Sequence, residues 1–364
     1  MISRRHFLSS GRQVVSAAAL SPLSALAVCA DAGAATAKPA RGRVVISQNT
    51  VRTDRNTVLR GACMMIGGAY WKSTINTQSL AYWKAAHDLG LNAMRLDVKL
   101  SDAGRSVSQQ LPLIDTAVDL AQQNNMYIMI LSSVQPGNYK LAELQAFWRI
   151  VADRYRNRTH VIYEMANEPV AWWPHDYSPK AMNDLKSLYD LMRTRAPVTH
   201  IVLFTFPNFI PDSGSSIVAR IATMRGIDYS KTSVGFHHYC GGKNYNAAVY
   251  EATVRYVKTY YPVLMTETSY WMEPENLVVK DGLQSDERLG IGWFSLDGKD
   301  SLARLTNEIL PRLHRAGFNW WSKTDRAHNA TNGAPPPPPQ TAGAAQPQKF
   351  NTTAITSPPR KTAP

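Results

Sequence analysis

The stretch Val161–Pro169, VIYEMANEP in one-letter code, decides the fold assignment. Val161–Ala166 is a short apolar run that predicts a buried strand, and Asn167, Glu168 and Pro169 follow it directly. A carboxylate at the end of a strand, next to a proline that stops the strand, can be held rigidly at a cleft, as general acid catalysis requires. Alone, however, the tripeptide Asn-Glu-Pro is more typical of an ordinary turn.

A second stretch of the same design follows further along the chain. Pro262–Thr266 is another apolar run, and it ends on Glu267. Enough sequence separates Glu168 from Glu267 for several strand–helix units. Two strands that each end on a carboxylate are a more specific signal than either stretch alone.

Apolar runs of strand length alternate with helical stretches from Val58 to Ser322. The predicted strands are 58–65, 92–98, 126–131, 161–166, 200–206, 233–239, 262–266 and 290–296. The predicted helices are 79–89, 109–123, 141–155, 180–195, 215–224, 247–259, a looser stretch near Asp286, and 302–315. Short, continuously apolar strands between helices indicate a parallel sheet covered by helices. Eight such units in this length predict an α/β fold, a single (β/α)8 TIM barrel.

The competing α/β architecture is a doubly wound sheet, which usually carries a glycine-rich phosphate loop after its first strand. Here Gly67 and Gly68 are followed by Ala69, Tyr70 and Trp71. Bulky aromatic side chains make a poor phosphate cradle, and they suit a lip that contacts sugar. The barrel is therefore favoured.

A barrel predicts that the chemistry lies at the carboxyl ends of its strands. The predicted ends carry polar, ionisable and aromatic side chains, namely Tyr70, Trp71, Arg95, Ser132, Ser133, Asn167, Glu168, His237, Tyr239, Glu267 and Trp293. Two carboxylates on one rim can cleave a glycosidic bond, and in the retaining scheme they lie about 5–5.5 Å apart. We therefore predict Glu168 and Glu267 as the catalytic pair.

Further side chains are predicted to support this pair and to bind sugar. Arg95 and the Tyr239 hydroxyl would keep the nucleophilic carboxylate ionised. His237 and Tyr239 are two positions apart on one strand, so they face the same side, whereas His238 faces away. The aromatic candidates for stacking on sugar rings are Trp71, Trp172, Trp173, Tyr270, Trp271 and Trp293. Apart from Trp293, where the two roles are about equally typical, each of these residues alone is more typical of core packing, and together they suggest a carbohydrate groove.

These motifs resemble glycoside hydrolase family 5, the cellulase-like family of retaining barrel enzymes. The similarity covers about Val58 to Trp321 and is carried by Gly90–Leu96, Tyr163–Pro169, Phe236–Tyr239, Met265–Glu267 and Gly292–Trp293. The resemblance implies that Glu168 is the acid/base and Glu267 the nucleophile. It also implies that Arg95 belongs to the network around the nucleophile and that Asn167 contacts the sugar 2-hydroxyl.

The chain departs from the family at the end of the third strand, where the family often has a histidine before a Pro-Gly turn. Ser132 and Ser133 stand there, ahead of Val134–Gly137. The departure leaves open which sugar and which linkage are recognised.

The sequence supports three hypotheses about function. The first is an exported retaining glycosidase that acts on a β-linked polysaccharide or oligosaccharide without a cofactor. The second is a non-catalytic carbohydrate-binding barrel derived from such an enzyme. The third, a metal-dependent hydrolase using His237, His238 and Glu267, ranks last because no His-x-His pair or His-Glu-x-x-His spacing occurs.

The two ends of the chain differ from the barrel, which is predicted over residues 38–326. Residues 1–37 contain Arg4-Arg5, a weakly apolar stretch and an Ala-x-Ala site at Ala35–Ala37. This order is typical of a twin-arginine export signal, which predicts a bacterial protein that is periplasmic or secreted. Residues 327–364 are rich in Pro, Ala and Gln and include the run Pro335–Pro339. Such a composition predicts a disordered tail.

A formal net charge of +13 can attract nucleic acid, anionic lipid or an acidic polymer, but an ordinary solvated basic surface is the favoured interpretation. No dense lysine and arginine cluster is interleaved with aromatic residues, so nucleic acid is not expected as a partner. No stretch after the leader has the length and apolarity of a membrane span. Cys63 and Cys240 remain after the leader, and the sequence leaves their pairing open. A monomer is expected.

Overall fold

The computed structural model describes residues 41–67, 70–99, 106–133, 138–170, 177–206, 214–238, 246–268, 282–299 and 301–321, without the side chains of 204–206 and 297. The predicted leader and tail lie outside these ranges and stay predictions. Tyr239, Cys240 and Trp172 lie outside them as well, as do Trp173, Tyr270 and Trp271.

Two short antiparallel strands precede the barrel, β1 (Val45–Ser47) and β2 (Thr50–Arg52). Gln48 and Asn49 form the turn between them, and both have a positive φ of 52°, as a type I′ hairpin turn requires. Thr50 pairs with Val263 at the start of a barrel strand. The hairpin therefore covers the amino end of the barrel.

Eight parallel strands close into a ring. They are β3 (Arg60–Ile66), β4 (Ala93–Val98), β5 (Tyr127–Ser132), β6 (Val161–Glu164), β7 (Ile201–Phe206), β8 (Thr232–His238), β9 (Val263–Thr268) and β10 (Trp293–Ser295). Each pairs with the next in chain order, and β10 pairs with β3 to close the barrel. The predicted (β/α)8 barrel is confirmed, and the strand bounds agree with the sequence prediction within a few residues.

The described helices alternate with these strands. They are α1 (Trp71–Thr77), α2 (Leu80–Asp88), α3 (Val107–Gln123), α4 (Leu141–Tyr155), α5 (Pro179–Arg195), α6 (Gly214–Ile221), α7 (Ala247–Tyr260), α8 (Gly282–Leu289) and α9 (Leu310–Arg315), the last preceded by a π-helical turn at Leu305–Ile309. Polar residues cap several of them, and Ser106 and Gln109 form a complete capping box on α3. Of the described α-helices, α1 alone is absent from the sequence prediction. No helix among these is long and apolar enough to cross a membrane.

The strand side chains form two packing layers because successive residues point to opposite faces. Those that face outward pack under the helices; on β4 these are Met94, Leu96 and Val98. Those that face inward fill the barrel with Cys63, Ala93, Tyr127, Met129, Ile162, Val202, Leu264 and Phe294. Arg95 and Asp97 alternate with the outward residues of β4, so both point into the barrel near its carboxyl end.

Candidate active site

The loop after β6 is anchored before it reaches the first predicted catalytic residue. The Trp148 indole N–H on α4 donates to the Met165 carbonyl at 2.8 Å, and the Met165 N–H donates to the Val202 carbonyl at 3.0 Å. Glu168 then adopts a positive φ of 41°. This conformation is strained for a residue with a side chain, and anchored neighbours are what such strain needs to persist.

Glu267 reaches the barrel interior through a β-bulge. Leu264 faces the interior and Met265 faces the helices, so strict alternation would turn Glu267 outward. The register between β8 and β9 shifts there, because Phe236 pairs with Met265 and the next residue, His237, pairs with Glu267. The extra residue on β9 reverses the alternation and points Glu267 inward.

Arg95 is the hub of the site. Its Nε and Nη2 donate to the two carboxylate oxygens of Glu164 at 2.7 and 3.0 Å. Its Nη1 donates to Glu267 Oε2 at 2.7 Å, and its Nη2 also donates to Asn167 Oδ1 at 2.7 Å. The side chains of Arg95 and Glu164 are fully buried, and that of Glu267 is nearly so. One guanidinium therefore fixes three acceptor side chains, which come from β6, from the loop after it and from β9.

The Arg95 guanidinium stays positively charged. Burial works against the charged form of Arg95, but the carboxylates of Glu164 and Glu267 outweigh it and hold the Arg95 pKa well above its usual range. The Cys63 side chain lies at the same level on the neighbouring strand, and burial raises the pKa of its thiol well above the ordinary value. Cys63 is therefore a neutral packing residue beside Arg95.

Glu168 has a different partner. Its Oε1 lies 2.6 Å from His237 Nδ1, and both side chains are buried. His237 is also the residue that pairs with Glu267 across the β8–β9 register. The two predicted catalytic glutamates thus lie at the carboxyl end of one barrel, joined through His237 on one side and through Asn167 and Arg95 on the other.

Two sequence-predicted sugar contacts take contrasting positions. Trp71 begins α1 next to the carboxyl end of β3 and is 59% exposed, which suits a side chain at a lip. The placement predicted for Trp293 is wrong. Trp293 is fully buried, opposite Arg60 at the amino end of the barrel, and its indole N–H donates to Glu287 Oε1 at 2.8 Å. It packs against Trp320 rather than facing the carboxyl rim.

Sequence reasoning missed Glu164. A carboxylate inside an otherwise apolar, buried strand needs a buried partner, and Arg95 on a nearby strand is the matching cation. That signal was present in the sequence, but strand β6 was predicted to end at Ala166 rather than at Glu164.

The metal-site hypothesis does not fit the geometry. His237 and His238 face opposite sides of β8, and the His238 ring packs on the Tyr250 ring of α7 with centroids 3.8 Å apart. The set formed by His237, His238 and Glu267 therefore does not converge. Over the described ranges, no group of three or more histidine, cysteine, aspartate or glutamate side chains could hold a metal ion.

A closed parallel barrel with clustered carboxylates at its carboxyl end defines a class of α/β proteins that includes glycosyl hydrolases. The family described as Cellulase (glycosyl hydrolase family 5) matches residues 50–276 of this chain. The chain belongs to that family.

Individual relatives agree with this placement. Endoglucanase A of Butyrivibrio fibrisolvens is 27% identical over 164 residues, which are 42% of this chain and 35% of the relative. Endoglucanase E-5 of Thermobifida fusca is 26% identical over 222 residues, 57% of this chain and 44% of the relative. The matched segments thus span less than half of each of these relatives.

Solved structures show the same fold. The catalytic domain of a Thermobifida fusca endoglucanase superposes with a TM-score of 0.56 at 19% identity, covering 72% of this chain and 87% of that one. A β-glucanase from Saccharophagus degradans in complex with cellotetraose has a TM-score of 0.56 at 18% identity, with the same two coverages.

Proposed function

We propose that this protein is a retaining glycoside hydrolase that cleaves a β-linked glucan with Glu267 as nucleophile and Glu168 as acid/base. The observation that carries the proposal is the unequal environment of the two carboxylates. Glu267 accepts from a permanently charged guanidinium, whereas Glu168 contacts a histidine ring. Two carboxyl groups in different environments on one rim are the requirement for one to attack and the other to protonate.

In the first step, a Glu267 oxygen attacks the anomeric carbon while the bond to the leaving oxygen breaks. Glu168 gives its proton to that oxygen, and a covalent glycosyl–enzyme ester remains. In the second step, Glu168 takes a proton from water, the water oxygen attacks the anomeric carbon, and Glu267 leaves as a carboxylate. The configuration at the anomeric carbon is retained.

Asn167 has a defined donor for the substrate. Its Oδ1 accepts from Arg95, which fixes the amide orientation. The Asn167 NH2 group is then the donor left for a sugar hydroxyl oxygen, as the family resemblance implies for the 2-hydroxyl. A hydrogen bond to that hydroxyl that strengthens in the transition state contributes to rate.

The substrate class is supported by relatives. Those compared are called endoglucanases, and the Saccharophagus degradans structure holds cellotetraose. We therefore infer a β-linked glucan as the substrate, and export through the predicted leader would place the enzyme where such polymers occur.

The deciding experiment is Glu267→Ala, assayed on soluble β-glucan with and without azide. Turnover should fall by roughly four orders of magnitude or more, as for removal of a nucleophile. Added azide should restore cleavage of an activated glycoside and give a glycosyl azide of inverted configuration. Glu143→Ala is the matched control, because Glu143 is exposed on α4. Turnover in Glu267→Ala close to that of the unmodified protein would exclude Glu267 as the nucleophile.

The unmodified protein also separates the two carbohydrate hypotheses. Hydrolysis of a β-glucan, with the β-anomer as first product by NMR, supports the enzyme. Binding without hydrolysis across glucan, mannan and xylan would favour the non-catalytic barrel instead.

A further inference from the structure

The rim above three adjacent strands combines aromatic rings with lysines. Lys99 and Lys299 both approach the ring of Tyr70, with their Nζ atoms 5.6 and 5.5 Å from its centroid. Lys72 lies next to Trp71, with its Nζ 5.8 Å from that ring. We name these five residues the basic lip.

The strand order places the basic lip beside the proposed nucleophile. Lys299 follows β10, Tyr70 to Lys72 follow β3, and Lys99 follows β4, and these strands are consecutive in the sheet. The next strand on the β10 side is β9, which carries Glu267. Burial lowers the Lys99 pKa, but the attraction and hydrogen bond to Asp97 outweigh it and raise the pKa, with smaller contributions from Tyr70 and then from Glu267.

Lys99 of the basic lip is neutralised by a neighbouring carboxylate. Lys99 Nζ lies 2.8 Å from Asp97 Oδ2 and donates to Ser133 Oγ. Within the described part of the chain, Lys72 and Lys299 have no carboxylate within ion-pair distance. Among the described residues, these two ammonium groups therefore have an aromatic ring as neighbour and no carboxylate partner.

Binding of a neutral polysaccharide would not require these lysines. Aromatic rings such as Tyr70 and Trp71 suit the apolar faces of pyranose rings, and hydroxyl groups need only neutral donors and acceptors. An ammonium group beside such a ring adds attraction for a charged substituent on the stacked sugar. Ser133 belongs to the segment in which the family's histidine is missing, and here it binds Lys99 instead.

We propose that the basic lip selects a β-linked glucan that carries anionic groups; this inference rests on the proposed glucan hydrolysis. The lip stacks on the sugar ring through Tyr70 and Trp71. Lys72 and Lys299 attract the charged substituents, and Lys99 is held in place by Asp97. The preference is electrostatic, so it weakens as salt is added.

The test compares three soluble cellulose derivatives of equal chain length and degree of substitution: carboxymethyl cellulose, cellulose sulfate and neutral hydroxyethyl cellulose. At low ionic strength kcat/KM should be about five- to tenfold higher for the anionic polymers, mainly through KM. The ratio should approach one at about 0.5 M NaCl, where charges on a surface are screened. A preference for carboxymethyl cellulose over cellulose sulfate, or the reverse, identifies which anion the lip fits.

Single lysine variants test which residues cause the preference for anionic polymers. Lys299→Met and Lys72→Met should each lower the anionic-to-neutral ratio about two- to fivefold. Lys186→Met removes the same charge from α5 and should leave the ratio unchanged. Equal kcat/KM for all three polymers, or a ratio that falls equally in Lys186→Met, would overturn the basic lip while leaving glucan hydrolysis intact. Failure to hydrolyse any of the polymers would instead overturn the proposed function and this inference with it.

Discussion

Buried arginines are paired with carboxylates differently at the two ends of the barrel. At the amino end, Arg60 forms a bidentate pair with Glu287 at 2.7 and 2.9 Å, and the buried Arg52 interacts electrostatically with both. At the carboxyl end, Arg95 is shared between Glu164 and Glu267. The first arrangement is a bidentate pair, whereas the second leaves carboxylate charge in excess.

This difference separates stability from chemistry. A buried, bidentate pair is destabilising to break because the surviving partner is left uncompensated. At the carboxyl end, the excess of carboxylates and the strained backbone of Glu168 cost stability. They are kept because the same features serve catalysis. Substitutions at the amino end should therefore affect unfolding, and substitutions at the carboxyl end should affect turnover.

The largest effect is expected from Glu168→Gln. Hydrolysis of unactivated β-glucan should fall by about 10³–10⁴-fold, because the leaving oxygen loses its proton donor. An aryl cellobioside with a good leaving group should show a much smaller loss in bond cleavage, since it needs little protonation. The free energy of unfolding should stay equal or rise. Steady-state and burst kinetics with both substrates measure the difference, and an equal loss with both would contradict the acid role.

Glu287→Gln should give the converse result at the amino end. Arg60 loses its counter-charge, and the free energy of unfolding should fall by about 3 kcal/mol. The kcat/KM of the folded protein should stay within about twofold of the original value. Urea unfolding and assays at a temperature where the variant is folded measure both quantities.

The control for this variant is Glu308→Gln, whose carboxylate forms an exposed pair with Arg304. Exposed pairs contribute little, so the control should unfold as the unmodified protein does. A loss of activity in Glu287→Gln beyond its unfolded fraction would break the proposed separation of the two ends.

Glu164→Gln should have an intermediate effect. In Glu164→Gln the positive charge of Arg95 is no longer shared with a second carboxylate. Glu267 therefore feels more of that charge, which stabilises its ionised form. The stabilised carboxylate is a weaker nucleophile and loses its proton at lower pH. We expect kcat to fall about 10- to 100-fold, and the acidic limb of the kcat/KM profile should move to lower pH. Glu164→Asp keeps the charge and should leave that limb in place. Loss of activity with an unmoved limb in Glu164→Gln would reduce Glu164 to a packing role.

The barrel itself could be predicted because its strands are buried on both faces and therefore read as continuous apolar runs. The β1–β2 hairpin and α1 were missed because elements of three to seven residues carry little periodicity. Long elements repeat their pattern often enough to be recognised, and short ones depend on contacts that the sequence does not show.

The site was harder to predict than the fold. The inward direction of Glu267 depends on a register shift between β8 and β9, and pairing register is a tertiary property. Trp293 was misplaced because the last strand was predicted over 290–296. The strand begins at Trp293, so its carboxyl end is Ser295. An error of a few residues in strand bounds is thus enough to move a side chain to the other end of the barrel.

The smallest predicted effect is a pH dependence of the free energy of unfolding, and it arises at the amino end of the barrel. His200 precedes β7, is buried against Ser233, and has its pKa lowered to about 3 by burial, with a smaller contribution from Arg193. The unfolded chain binds a proton at this site near pH 6.5. Between pH 6.5 and 3 the unfolded state therefore binds more protons, and stability falls as the pH is lowered. We expect His200 to account for a loss on the order of 2 kcal/mol between pH 8 and pH 5.

His200→Gln should flatten that part of the stability profile, whereas His87→Gln, at an exposed position on α2, should not. An unchanged profile in His200→Gln would show that acid sensitivity arises elsewhere, with His238 as the next group to test, since burial also lowers its pKa to about 3.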